Sequence, residues 1–486
     1  MTMTPDTSKK RGLTSLPGLR RFAPPAELEV IDVSEVSDDE IEFLPWAAPG
    51  SRLRVNDRAA AAGFYAPTAT GAPSSTRQAA VLNTALIANP TSTDGLVLGR
   101  DSLSQTAAAH DPVTAYNAKP RRITSPNVVV AGDVGSGKSA NTKCNYVARP
   151  LTLINRRVVV FDKKPEGDEG EYAPMVRAYG AEPLRFSASG DGTRLNPLDK
   201  HIIRGSGARG QARVIRNIVQ LADGDKPVSK WGREAIRIAL QRTFAQFEDR
   251  RRTATLADVL PHLGTVAADT HGDLSPKARD RLHQAGKSVL FTLHDLLDEY
   301  GGLFDGDTSK DVDLAAKLTS FDISALDEDS AAIPVVMSIG YQWLLGRLRS
   351  ERGSVTNVIY EEGWHMVAGP SAKLLRSSQK LSRALGISNV FVMHKGLTDI
   401  PADSSAMAML QEAQTIHVYK QSRRIDAEWC QQYFDFDPDT VEAIMNLNTG
   451  EQIFKYGSNP EIRMRHLRSA WEVALTNTDS AMSTRL

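Results

Sequence analysis

Residues 132–139 read Gly-Asp-Val-Gly-Ser-Gly-Lys-Ser and follow the apolar run Asn127-Val128-Val129-Val130-Ala131. This is the G-x-x-x-x-G-K-S pattern of a Walker A loop, set between an expected strand and an expected helix. Glycines let such a backbone wrap closely around a polyphosphate, with successive N–H groups aimed at its oxygens. Lys138 can reach the β- and γ-phosphates and Ser139 can ligate Mg²⁺. The following helix adds the positive end of its dipole. The expected cofactors are ATP and Mg²⁺. The expected contact set is Gly132, Asp133, Val134, Gly135, Ser136, Gly137, Lys138, Ser139 and Ala140.

The chain has 486 residues, enough for two or three folding units. Formal net charge is zero, which argues against a protein that coats nucleic acid without specificity and leaves room for a locally basic channel. Cys144 and Cys430 are the only cysteines, so a disulfide framework or cysteine zinc site is excluded and a reducing cytoplasm is expected. The longest uncharged stretch of mainly apolar residues, Ser330 to Gly346, contains Pro334, Ser338, Gly340 and Gln342. It is too short and polar to cross a bilayer and reads as a buried helix. With no apolar signal core at the N-terminus, a place at the inner face of the cell membrane would come through partners.

Residues 1–80 read as a low-complexity, disordered tail. Glu27 to Glu42 carries eight acids and no base, and residues 59–79 are rich in Ala, Gly, Pro, Ser and Thr. Such composition buries too little apolar surface to offset ordering entropy. Residues 81–204 form the first part of an α/β core, in which Arg156–Asp162 has the apolar texture of a buried parallel strand. Residues 205–300 change period: Val214, Ile215, Ile218, Val219 and Leu221 recur at helical spacing, as do Ile236, Ala239, Leu240, Phe244 and Phe247. A third such pattern runs through Val289, Leu290, Leu293, Leu296 and Leu297, giving an all-helical insertion. Residues 301–475 return to the core, with strands at Leu318–Ile323, Asn357–Tyr360, Asn389–Met393 and Thr415–Tyr419. A hairpin over Glu451–Tyr456 and Glu461–Leu467 comes next, and 476–486 is a tail.

A Walker A loop needs a second strand that ends in acids. Val355–Trp364 supplies it, with Glu361 and Glu362 at the strand exit. Glu361 would hold Mg²⁺ through water, and Glu362 would orient and polarise the attacking water. His394 ends the next strand, facing the same crevice. Arg376, Lys380 and Arg383 lie on nearly one face of the helix between these strands. In oligomeric ATPases a neighbour's arginine often completes the site, and Arg383 is the first candidate, Arg376 the second. Arg209, Arg213 and Arg216 share another helical face, and Arg250 to Arg252 form a run. Phosphate contacts would use such residues. No HExxH, Cys/His metal pair or serine-hydrolase elbow is present.

Taken in order, these motifs resemble those of the ATPases of type IV secretion and conjugal transfer, in the FtsK–HerA branch of RecA-like P-loop proteins. The resemblance spans roughly residues 90–475. It rests on the Walker loop, Val-Val-Phe-Asp with Gly170-Glu171-Tyr172, Leu195-Asn196-Pro197-Leu198-Asp199 and the helical insertion. Further marks are Gly302 to Gly306, Ser320 to Ser324, Glu361-Glu362-Gly363-Trp364 and the basic helix before the next strand. The chain departs from the family in three places. Glu361 stands where Asp is usual, His394 where a glutamine is usual, and Pro165–Glu169 interrupts the Asp-x-Lys-Gly-Glu-Tyr run. A short tail also stands where family members often carry a large N-terminal domain.

The resemblance implies a RecA-like core acting as a ring, a homo-hexamer, on the cytoplasmic face of a membrane complex. Its partners would be conjugation or secretion channel subunits, and DNA or a DNA–relaxase complex is a further candidate. ATP hydrolysis would energise the machine. Two alternatives stand beside this reading: a coupling ATPase that translocates DNA itself, and a nucleotide-gated scaffold with little turnover.

Overall fold

The computed structural model describes residues 94–200, 207–248, 252–266, 274–310, 316–328, 330–350, 353–361, 385–393 and 410–476, with a few single positions besides. The chain divides into two compact units, Met1–Ile87 and Ala88–Leu486, and the second carries the sheet and its helices.

Among the described residues, eleven strands form one sheet. Its parallel part runs β11 (Thr415–Val418), β3 (Val128–Ala131), β10 (Ile387–Met393), β9 (Val355–Tyr360), β4 (Arg156–Asp162), β8 (Leu318–Asp322) and β7 (Leu184–Arg185). Beyond β11 the sheet turns antiparallel through β12 (Glu451–Tyr456), β13 (Ile462–His466), β1 (Leu96–Asp101) and β2 (Ala107–His110). β12 and β13 are the hairpin expected from the sequence, with Glu451 opposite Arg465. Although β4 follows β3 in the chain, it lies three places away, across β10 and β9. Such a reordering opens a crevice at the C-terminal strand ends, where α/β sheets bind ligands.

The central strands are apolar at nearly every position because both faces are covered. Val128, Val130, Val158, Val160, Ile359, Val390 and Val392 point to one face, where Tyr146, Val147, Met175 and Val176 cover them. The intervening Val129, Ala131, Val159, Phe161, Val358, Tyr360, Phe391 and Met393 point to the other. On that second face Phe186, Phe321, Phe161, Tyr360 and Phe391 form a ladder of near-parallel rings, with centroids 5.0–6.1 Å apart. The strand register sets it, pairing Phe161 with Phe321 and Tyr360, and Phe391 with Tyr360.

Helix α1 (Pro112–Asn117) follows β2, α2 begins at Lys138–Thr142, and α3 is Ala173–Ala178. Next come α4 (Gly207–Ala222), α5 (Lys230–Phe247), α6 (Leu256–Gly264) and α7 (Pro276–Glu299). Their buried faces carry the residues that the helical period singles out, including Ile215, Ile218, Ile236, Ala239, Val289 and Leu293. These helices share one continuous core with the aromatic face of the sheet. α8 (Ala332–Ser350) is the helix foreseen in the uncharged stretch. It is buried on all sides through most of its length, as its continuous apolar composition requires. The second half ends with α9 (Arg424–Tyr433), α10 (Thr440–Met445) and α11 (Ala470–Thr476).

Candidate nucleotide-binding site

Gly132–Ser139 leaves the C-terminal end of β3, the central strand of the crevice, and Lys138 opens α2. Gly137 caps that helix at φ 105°, a conformation that side chains with a Cβ rarely adopt. The Asp133 carbonyl is the hub of the loop. It accepts from Ser136 Oγ at 2.6 Å and Lys138 Nζ at 2.5 Å. The Lys138 side chain is therefore buried against its own loop, Ser139 is buried beside it, and Val134 is exposed at the tip. Ala140 lies one turn into α2.

The loop is clamped from the second half of the chain. Asp133 N donates to the Lys420 carbonyl at 2.9 Å, and Ser422 N donates to Asp133 Oδ2 at 2.7 Å. Gly450 N donates to the Ser136 carbonyl at 3.0 Å. Nothing local in the sequence marked residues 420–422 or Gly450. They reach the loop because β11 pairs with β3 and β12 pairs with β11.

Four carboxylates gather at the neighbouring strand ends. Asp162 ends β4, Asp322 ends β8, Glu361 follows β9, and Glu171 precedes α3; all four are buried. Asp162 Oδ2 accepts from Tyr172 N at 2.8 Å, and Asp322 Oδ2 accepts from Gly170 N at 2.9 Å. The Tyr172 hydroxyl donates to Glu361 Oε1 at 3.1 Å, while Glu361 Oε2 and Asp162 Oδ1 have no hydrogen-bond partner among the described residues. Burial, reinforced by the Glu171 charge, pushes the Glu361 carboxyl up to about 8. Burial also raises Asp162 well above the carboxylate range, with the Asp322, Glu171 and Glu361 charges adding to it.

Lysines offset part of this charge. Beyond Thr142, α2 widens into a π segment (Lys143–Ala148) before its last turn, Arg149–Leu151. Lys143 in that segment donates to the Glu171 carbonyl at 2.8 Å and lies 3.3 Å from Glu171 Oε1. Lys164 Nζ stands between Glu171 Oε2 at 3.3 Å and Ser139 Oγ at 3.4 Å, joining the acids to the glycine loop. The residues that interrupt the Asp-x-Lys-Gly-Glu-Tyr run fold into a two-stranded ribbon, β5 (Pro165–Glu166) against β6 (Glu169–Gly170). The ribbon returns the chain to its starting point, where Glu171 N donates to the Lys164 carbonyl at 3.0 Å. The interruption loops out and leaves the motif's residues adjacent.

Of the expected site residues, Gly132 through Ala140 and Glu361 therefore stand at one crevice. Glu362, Arg376, Lys380, Arg383 and His394 lie outside the described residues. A shallow cleft of about 620 Å³ between α5 and α7, lined by Trp231, Lys277 and Arg281 among others, shares no residue with this site.

No protein-family profile matches the chain, and no curated protein does. Among solved structures, VirB4 of Thermoanaerobacter pseudethanolicus superposes with a TM-score of 0.61 at 18% identity, over 79% of this chain and 100% of that one. The two share a fold. The bacterial conjugative coupling protein TrwB aligns more loosely, with a TM-score of 0.49 at 16% identity, over 78% of this chain and 90% of that one. That looser match adds no weight.

Proposed function

We propose that the protein is a P-loop ATPase that energises a type IV secretion or conjugative DNA-transfer machine. The observation that carries this reading is the Gly132–Ser139 loop at the end of β3, with buried Glu361 at the end of β9, in a fold shared with VirB4. The residues present fit a nucleotide with Mg²⁺. Glu361 Oε2 is a buried acceptor without a hydrogen-bond partner among the described residues, and a Cβ at Gly137 would lie 3.2 Å from Gly450 N, closing the loop against its clamp.

In this reading Lys138 exchanges the Asp133 carbonyl for the β- and γ-phosphates. Ser139 and Glu361 would hold the metal, and Glu362 would orient the attacking water. Bound Mg²⁺ neutralises charge that develops on the phosphates. Arg383 from a neighbouring subunit, with Arg376 as second choice, completes the site in a hexameric ring, and His394 contacts the γ-phosphate or the water. Among the described residues no helix is long and apolar enough to cross a membrane. Contact with the inner face of the cell membrane would then come through channel subunits.

Steady-state ATP hydrolysis by the purified protein, with and without DNA, tests this against Glu362→Gln. Turnover lost in the variant supports the assignment. Turnover equal in both proteins removes Glu362 from the mechanism and favours the scaffold reading. One observation favours a DNA-translocating coupling ATPase as the second reading: Arg213, Arg216 and Arg233 converge between α4 and α5. Burial lowers the Arg216 guanidinium, and the charges of Arg233 and Arg213 lower it further. Turnover that rises with DNA, and binding that falls steeply with salt, would favour it.

A further inference from the structure

Three lysines surround the buried acids, and they are committed differently. Lys163 Nζ donates to the Leu326 carbonyl at 2.8 Å, and Lys143 is held on Glu171 by both carbonyl and carboxylate. Lys164 alone of the three spans two groups of different purpose, Glu171 Oε2 and the hydroxyl of Ser139. Its side chain keeps 31% of its exposure, whereas that of Glu171 is fully buried.

We infer that Lys164 is a positioning residue whose ammonium competes with the divalent cation for Ser139 Oγ. This rests on the nucleotide reading of the glycine loop. A metal bound to that hydroxyl, about 2.0–2.1 Å away for Mg²⁺, cannot share it with a cation 3.4 Å from the same oxygen. Like charges that close repel, and the burial of Ser139 limits screening. The metal therefore displaces Lys164 toward Glu171 Oε2, where it already has a carboxylate partner. Glu171 and Glu361 interact through their charges, and Lys164 acts on Glu361 as well. When the metal is withheld, the same ammonium remains near the phosphates as a counter-charge. Lys164 accordingly sets how strongly nucleotide affinity depends on metal.

The test is ADP binding to the full chain by calorimetry, in excess Mg²⁺ and in excess chelator, for the wild type and for Lys164→Met, Lys164→Gln and Lys164→Arg. Mg²⁺ tightens ADP binding by some factor in the wild type. That factor is expected to rise about fivefold or more in the Met and Gln variants, the lower end of ordinary coupling between sites. It should stay near the wild-type value in Lys164→Arg, which keeps the cation. A lysine that merely pairs with Glu171 would change the melting temperature and leave this factor alone, so an unchanged factor in folded Met and Gln variants overturns the inference. A wild type that binds no ADP with or without metal overturns the nucleotide reading itself, a different and recognisable outcome.

Discussion

At the scale of single residues, the acid cluster depends on a backbone that comes unusually close. A Cβ built on Gly170 would lie 2.8 Å from Asp162 Cγ and 2.9 Å from Asp322 Oδ1. Both carboxylates are buried and tied to backbone amides, so neither can swing aside cheaply. Gly170→Ala should therefore destabilise the protein by about 1–3 kcal/mol, as overpacking does, and weaken nucleotide binding by shifting Glu171 away from Lys164. Denaturant unfolding reads the first effect and calorimetry with Mg-ADP the second. An alanine variant of wild-type stability would show that the Asp162–Asp322 pair tolerates separation. Glu361 illustrates how far one residue can be read from sequence. Its position at a strand exit was legible from the apolar run before it. Its hydrogen bond to Tyr172 and its raised pKa were not, because the first comes from a residue 189 positions away in the chain and the second from burial in the folded core and from the Glu171 charge.

At the scale of elements, strands and helices follow the local pattern closely, since burial on one or two faces writes a period into the sequence. Arg156–Asp162 is a parallel strand, Ala332–Ser350 a buried helix, and the helical spacing between 207 and 299 marks the faces that are packed. Other features have no local signature. The ribbon that excuses Pro165–Glu169 from the motif shows only once Lys164 and Glu171 are seen paired. The clamp from residues 420–422 and Gly450 likewise follows from strand order, which apolar runs do not encode. The aromatic ladder is a further consequence of register. Phe161 stacks on both Phe321 and Tyr360 and is fully buried. α8 comes close enough that a Cβ on Gly340 would meet the Phe161 and Phe321 rings at 3.1 and 3.0 Å. Phe161→Ala should cost about 3–5 kcal/mol, the range for a buried phenylalanine. Phe161→Leu should recover much of that loss. A loss below about 1 kcal/mol on denaturant unfolding would mean that the ladder is not a structural spine.

At the scale of the whole molecule, the antiparallel extension is joined to the parallel core through buried histidines. His110 on β2 bonds Thr415 Oγ1 through Nε2 at 2.8 Å, and His417 on β11 contacts the Tyr146 hydroxyl and Gln452 Oε1. Burial, with the nearby His417 and Arg122 charges, lowers His110 to about 3, and burial lowers His417 to about 4. His466 on β13 is lowered too, by burial and by the charges of Arg149, Arg468 and His417. An unfolded histidine titrates near 6.5, so below that pH the unfolded chain takes up protons that the folded one refuses. Each of these groups therefore removes stability as pH falls from about 6.5 toward its folded value. Glu361 and Asp162 act in the opposite sense, because their raised folded pKa values favour the folded state as they protonate. The raw pH profile mixes both trends, and a single substitution separates them. His110→Gln can keep a hydrogen bond to Thr415 and cannot titrate. Between pH 6 and 4.5 the stability of the wild type should fall more steeply than that of His110→Gln. The difference should be about 1.4 kcal/mol per pH unit, the value for one proton. Parallel profiles from denaturant unfolding at each pH would show that His110 is not held neutral. The seam between the two halves of the sheet would then lie elsewhere.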